Sequence, residues 1–324
     1  TSYGQRDGTD VILVRATRSG IHGHGEASLP PYMPVSAAMI EVELVAAGDV
    51  LAALEAGETH LLERLSLPAR ACLSMAYYDL ISREKKASIS TVLEVDEAPG
   101  GPAVATLGAG PMTTMKERLE ALPEVPVLKV KWSGAADALD QLQRLVEWDP
   151  RPILLDANRA MRSVEMVQDL LAAMPAERII GLEQPFDVGS PLQFELEQTI
   201  SVTTYADESI QGEADLDAMV GQFGGVNLKL VKCGGPDKAA RMAIRARQAG
   251  LKVMLGNMSE TSLGCGAMCH LAGYADLVDL DGPWLIRNDP FKGMGIRQGR
   301  YVVHGTQGIG VDLITSLVWT PIGA

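Results

Sequence analysis

The chain has 324 residues, 47% of them hydrophobic, 21% charged and 5% aromatic, and 28 Lys and Arg against 41 Asp and Glu leave a formal net charge of −13. That is chain enough for one large core plus an accessory domain, and it excludes a disulfide-stapled mini-protein, a disordered chain and a fibrous repeat. The acidic balance supplies no basic footprint for a nucleic-acid partner, and the absence of a run of about 18 apolar residues or a signal-peptide pattern points to a cytoplasmic protein without a membrane partner.

Val11–Thr17 (VILVRAT) already reads as a strand, so residues ahead of Thr1 are expected to be missing from this sequence. A Gly/Pro loop over Gly20–Pro34 leads to Met39–Val45 (MIEVELV), whose alternation reads as a second strand. Two helical stretches follow, and in the second Ala69, Leu73, Ala76 and Leu80 recur at i, i+4, i+7 and i+11. From about residue 88 the rhythm changes. Short apolar runs alternate with amphipathic helical segments: Thr91–Val95, Val127–Lys131, Ile153–Asp156, Ile179–Glu183, Val202–Asp207, Val226–Leu230, Lys252–Leu255 and Leu277–Leu280. Strands apolar on both faces and separated by helices predict a parallel sheet covered by helices. Eight of them predict an α/β fold, a (β/α)7β TIM-type barrel over residues 88–289. Residues 1–87 form an α+β cap in this reading, completed by the Gly-rich tail 290–324. Cys72, Cys233, Cys265 and Cys269 lack zinc-ligand spacing and are expected as buried free thiols in a reducing compartment.

The charges fall at the ends of the runs. Lys129 and Lys131, Asp156, Glu183, Asp207, Lys229, and Asp279 with Asp281 each close or follow a strand. Steps from Lys131 are 25 to Asp156, 27 to Glu183, 24 to Asp207, 22 to Lys229 and 50 to Asp279, the last being two periods. A period near 25 is one βα unit, so these side chains share the rim where barrel enzymes place their sites. Three carboxylates on successive strands make an all-oxygen site for a hard cation, with Mg²⁺ the default. Lysines on opposite sides of such a ring approach a ligand from two faces, and crowding by cations lowers their basicity toward neutral pH.

Lys129-x-Lys131, Asp156-x-Asn158, Glu183-Gln184-Pro185, Asp207-Glu208-Ser209 and Asn227-Leu228-Lys229 followed by Gly234-Gly235 together resemble the enolase superfamily, muconate-lactonizing subgroup. Gly25-Glu26-Ala27, Ala76-Tyr77-Tyr78-Asp79 and Met254-Leu255-Gly256-Asn257 extend the likeness over nearly the whole chain. Asp279-Leu280-Asp281-Gly282-Pro283 resembles the Asp-x-Asp motif of dipeptide epimerases, the L-Ala-D/L-Glu type included. The resemblance implies one Mg²⁺ per subunit on Asp156, Glu183 and Asp207, with Lys131 and Lys229 as two bases. They would invert the Cα of a dipeptide's C-terminal residue by 1,1-proton transfer through a metal-stabilised enediolate. Lys129 would lean its charge on the substrate carboxylate, Asp279 and Asp281 would accept the free α-ammonium, and Tyr3 and Asn257 would complete the substrate contacts. A homo-oligomer is compatible with this reading.

One departure bears on the substrate. Gly4 stands where Ala-Glu epimerases carry an arginine for the glutamate side chain, and Arg6 lies two residues off. With Tyr3, Pro31, Tyr32 and Met33 in the cap loops, the expected C-terminal side chain is less charged, without strict Ala-Glu specificity. An o-succinylbenzoate synthase or N-succinylamino acid racemase would use the same lysines and metal, and differ at Asp279 and Asp281. A silent barrel serving as a binding module is the non-enzyme alternative, though it has no need of opposed lysines. His22 and His24 read as a cap-loop pair rather than metal ligands. Gly100-Gly101 lacks the Lys-Ser/Thr of a phosphate loop, Gly234-Gly235 reads as a tight βα turn, and Glu208 as a partner to the site residues.

Overall fold

The computed structural model describes residues 8–29, 35–47, 50–55, 59–95, 98–108 and 110–322. Tyr3, Gly4, Arg6, Pro31, Tyr32 and Met33 lie outside the described residues.

The chain opens with an antiparallel hairpin, β1 (Asp10–Arg18) and β2 (Ile21–Leu29), joined through Ser19 and Gly20 at φ 51° and 78°. Positive φ at both turn residues matches the right-handed twist of the strands. The expected Gly/Pro loop is therefore a strand over its first half, and His22 and His24 sit on it. Its glycines are there for closeness: a Cβ on Gly23 or Gly25 would collide with the backbone of the long cap helix. Helices α1 (Ala37–Ala47) and α2 (Val50–Glu55) come next. The strand expected at Met39–Val45 is thus helical. Ile40 and Leu44 bury one face while Met39, Val42 and Val45 stay exposed, so the alternation carried no burial information. The cap helix α3 (Leu67–Glu84) is started by Ser66, whose hydroxyl accepts from the Ala69 amide. Ala69, Cys72, Ala76 and Leu80 bury its stripe against Val14, Ala16, Ala27 and Leu29.

After the one-turn α4 (Ile89–Val92), the repeat runs β3 (Val104–Leu107), α5 (Met112–Glu120), β4 (Val127–Lys131), α6 (Ala138–Trp148), β5 (Ile153–Asp156), α7 (Val164–Ala172), β6 (Ile179–Glu183), α8 (Pro191–Thr199), β7 (Thr203–Ala206), α9 (Leu216–Met219), β8 (Gly225–Lys229), α10 (Leu230–Cys233), α11 (Pro236–Gln248), β9 (Lys252–Gly256), α12 (Ser262–Cys269) and β10 (Leu277–Val278). Seven of the eight expected runs overlap these strands. Thr91–Val95 does not; Ser88 caps a helical turn there, and the first strand is Val104–Leu107. The order β10-β9-β8-β7-β6-β5-β4-β3 is parallel throughout, and a bridge from Ala103 to Val278 closes the ring.

Side chains alternate across the barrel wall. Leu128, Ile153, Leu155, Leu182, Val226, Leu228, Val253 and Leu255 point outward into two cores shared with the helices. Val104, Val127, Leu154, Tyr205, Met254 and Leu277 form a separate plug inside. Gly181 and Gly225 make room for the plug's largest member: a Cβ on Gly225 would lie 2.7 Å from the Tyr205 ring.

After α13 (Gly282–Leu285), the tail contributes the pair β11 (Phe291–Lys292) and β14 (Asp312–Leu313), and the hairpin β12 (Met294–Arg297) with β13 (Arg300–Val303). It packs on both bodies. The Ile309 amide donates to Asp79 of α3, Arg15 of β1 lies 4.6 Å from the Trp319 ring centroid, and the Tyr301 hydroxyl donates to the Val104 carbonyl.

Candidate active site at the barrel rim

Two residues above the plug, the inward positions turn polar. Register places Lys131 beside Asp156 and Asp156 beside Glu183, at one level on β4, β5 and β6. Asp207 follows β7, Lys229 ends β8, and Asp279 follows β10. The 25-residue period thus becomes one ring at the C-terminal end of the strands.

Within it, charges interleave. The Lys129 ammonium lies 2.7 Å from Glu183 Oε2, 2.9 Å from Asp279 Oδ2 and 3.2 Å from Asp156 Oδ2. Burial works against its charge, but Asp279, Glu183 and Asp156 win and hold Lys129 well above the usual lysine range. Lys131 donates to Asp156 and, at 3.2 Å, to Asn158 Oδ1. Across the ring, Lys229 donates to Asp207 Oδ2 at 2.8 Å. Burial would raise the Asp207 carboxyl, yet Lys229 and Lys232 beside it hold it well below the usual range. Glu183 goes the other way. Burial first, and then the charge of Asp156, push it up to about 7.

Asp279 and Asp281 form a second acidic station. Asp281 accepts from the Thr106 amide at 2.6 Å and from Asn257 Nδ2 at 3.0 Å, while Asn257 also donates to the Asp279 carbonyl at 2.8 Å. Burial and the neighbouring Asp279 raise Asp281 to about 6. Asp279 Oδ1 is buried with no hydrogen-bond partner among the described residues.

Two partners had no role in the sequence reading, although Asn227 stood in its Asn227-Leu228-Lys229 motif. Lys232 on α10 donates to the Asp207 carbonyl at 2.8 Å and to Oδ1 at 2.7 Å. Asn227 Nδ2, on the inner face of β8, donates to Glu183 Oε1 at 2.8 Å. Asn227 sits two residues before Lys229, a period-2 signal available in the sequence; Lys232 sits on a helical turn that no strand count reaches. Glu208 is largely buried, with Oε1 3.6 Å from Arg159 Nε, and burial and Asp207 raise its carboxyl.

Among the described residues no three His, Cys, Asp or Glu side chains close on one point as a metal cage, because ammonium groups stand between the carboxylates. The chemistry of the donor set nevertheless suits a hard cation. Five buried acids (Asp156, Glu183, Asp207, Asp279, Asp281) face four lysines (Lys129, Lys131, Lys229, Lys232), and the surplus shows in the raised Glu183 and Asp281. All the donors are oxygens, which favours Mg²⁺ over softer metals.

Residues 114–316 match a family model described as enolase C-terminal domain-like. The L-Ala-D/L-Glu epimerase of Bacteroides thetaiotaomicron is 28% identical over 94% of this chain and 82% of its own length. The N-acetyl-D-glutamate racemase of a Pseudoalteromonas species is 30% identical over 68% of this chain and 69% of its own. Among solved structures, the dipeptide epimerase of Methylococcus capsulatus complexed with Mg and L-Arg-D-Lys superposes with a TM-score of 0.80, at 26% identity over 93% of this chain and 91% of that one. No described helix is long and apolar enough to cross a membrane.

Proposed function

We propose, from the premise that this chain belongs to the enolase C-terminal domain-like family, that it is an isomerase inverting the Cα of the C-terminal residue of a dipeptide. The observation that carries the reading is the opposition of Lys131 and Lys229. Their strands, β4 and β8, stand four apart in a ring of eight, so the two amines enter from opposite sides.

Asp156, Glu183 and Asp207 would hold one Mg²⁺ per subunit, which supplies charge stabilisation to the substrate carboxylate as its α-proton leaves. Lys129, locked as an ammonium by three acids, adds positive charge to the same carboxylate without moving a proton. One of Lys131 and Lys229 takes the Cα proton and becomes an ammonium. The other, entering as an ammonium, delivers its own proton to the opposite face and is left neutral. The product is the inverted dipeptide, and exchange with solvent resets the two amines. Asp279, with an open acceptor, and Asp281, fixed by Asn257 and Thr106, receive the α-ammonium of the N-terminal residue.

The 30% identical N-acetyl-D-glutamate racemase favours a second reading, racemisation of N-acylated amino acids, in which no ammonium reaches Asp279 and Asp281. Incubation with Mg²⁺ and dipeptide libraries in D₂O separates them. One deuterium per dipeptide, with inversion at the C-terminal residue, is the expected outcome by mass spectrometry and chiral chromatography. Exchange confined to N-acyl or N-succinyl amino acids transfers the case to the second reading, and no exchange in any library overturns both.

A further inference from the structure

Gln184 follows Glu183 directly, yet it is neither a strand residue nor a ligand. It is 1% exposed, and its backbone lies at φ 38°, in the left-handed region that side chains avoid. Such a conformation persists where the surroundings over-determine it, and here every polar group is engaged. The backbone amide donates to the Tyr205 carbonyl at 2.9 Å, and the backbone carbonyl accepts from the Arg159 amide at 2.8 Å. The side-chain Oε1 accepts from the amides of Asp207 and Ser209, each at 3.0 Å. Nε2 donates to the Phe186 carbonyl at 2.9 Å and to Ser209 Oγ at 2.8 Å. One buried residue thus links the loop after β5, the end of β6 and the turn after β7.

We propose that Gln184 is a positioning residue for the divalent cation, its primary amide fixing the separation of the Glu183 and Asp207 carboxylates. The inference rests on the reading of the rim as a Mg²⁺ site. The amide is needed for both of its functions: Oε1 grips the backbone of Asp207 itself, while the NH₂ group turns toward a carbonyl and a hydroxyl. A carboxylate has no N–H for the second task, and an alkyl chain can do neither. Mg²⁺ demands near-octahedral geometry at short distances, so ligands on two separate strands must be held in register before it arrives. If Gln184 serves the loops alone, losing it lowers stability and leaves cation affinity as it was.

The test is Mg²⁺ and Ca²⁺ binding by titration calorimetry to the intact protein, as wild type, Gln184→Met and Ser209→Ala. Gln184→Met removes the amide at similar length and no change of charge. It is expected to weaken Mg²⁺ binding by about 10–100-fold, the scale of groups that orient metal ligands. Ca²⁺, which accepts looser and more numerous ligands, is expected to lose less. Ser209→Ala removes one acceptor of the NH₂ group and reports even where Gln184→Met does not fold; a smaller loss of Mg²⁺ affinity in the same direction is expected. Folded variants that bind Mg²⁺ as wild type does, or lose Mg²⁺ and Ca²⁺ equally, overturn the clamp. Wild-type protein that binds no Mg²⁺ overturns the rim reading, and the clamp with it.

Discussion

The plug and the rim are built from the same strands, two residues apart. Val127 lies below Lys129, Leu154 below Asp156, Gly181 below Glu183, Tyr205 below Asp207 and Leu277 below Asp279. Both layers are buried. In the plug burial is favourable and non-directional, about 25 cal/mol for each Å² of apolar surface. In the rim burial opposes each charge, and neighbouring charges and hydrogen bonds offset it, unevenly: Asp207 is held low by two lysines while Glu183 is pushed up to about 7. Folding free energy therefore resides below, and the groups proposed for the chemistry stand above.

Lys131→Ala gives the largest expected separation between the layers. Inversion at the substrate Cα should fall about 10³-fold, while the thermal midpoint stays within a few degrees of wild type. Full inversion in that variant would remove Lys131 from the chemistry. Met254→Ala, in the plug, should do the opposite, costing about 2–5 kcal/mol of stability in a denaturant melt with activity per folded molecule retained. If it instead abolished exchange in folded protein, the two layers would not be separable.

Glu26 on β2 sharpens the comparison, being fully buried without a lysine partner. It accepts from the Thr261 amide at 2.8 Å and the Gly264 amide at 3.0 Å, at the N-terminus of α12, and burial raises its carboxyl to about 7. A folded-state value above the ordinary 4.5 means that its contribution to stability is fully present below pH 4.5 and is lost as pH rises through 7. The difference is on the order of 3 kcal/mol. Urea melts from pH 5 to 8 should show wild-type stability falling through this window and Glu26→Gln flattening the fall; parallel profiles would contradict the assignment. The smallest effect expected is Gly225→Ala, about 1–3 kcal/mol from crowding the Tyr205 ring, read as a lowered thermal midpoint with Mg²⁺ affinity unchanged.

The plug and rim differed in legibility too. Strands buried on both faces stand out as apolar runs, so Val127–Lys131, Ile153–Asp156 and Ile179–Glu183 coincide with β4, β5 and β6. Their terminal charges could be counted because each βα unit has nearly one length. Where a single face is buried, the pattern misled. MIEVELV alternates like a strand, but only Ile40 and Leu44 of it are interior, and they lie on one side of a helix. Glycine and histidine disguised β2 as a loop, since a close approach to α3 asks for small residues rather than strand formers. Gln184 was visible only as part of a motif: nothing in its chemical type announces six hydrogen bonds. Lys232 shows the same limit, for a buried ammonium that steadies a carboxylate is written like any surface lysine.

The bridge that closes the ring joins Ala103 to Val278, 175 residues further along, and the Ala103 amide is held in turn by the Gly299 carbonyl. During synthesis, β3 leaves the ribosome long before its second neighbour exists, and it must wait with one edge unpaired. At 5–20 residues per second the delay is about 10–35 seconds, many times the lifetime of local helix and turn formation. An open strand edge over that interval invites pairing with other nascent chains. A truncation that stops before Gly299 leaves the seam without its outer clasp, so a segment translated after β10 helps to hold the first barrel strand to its native neighbour.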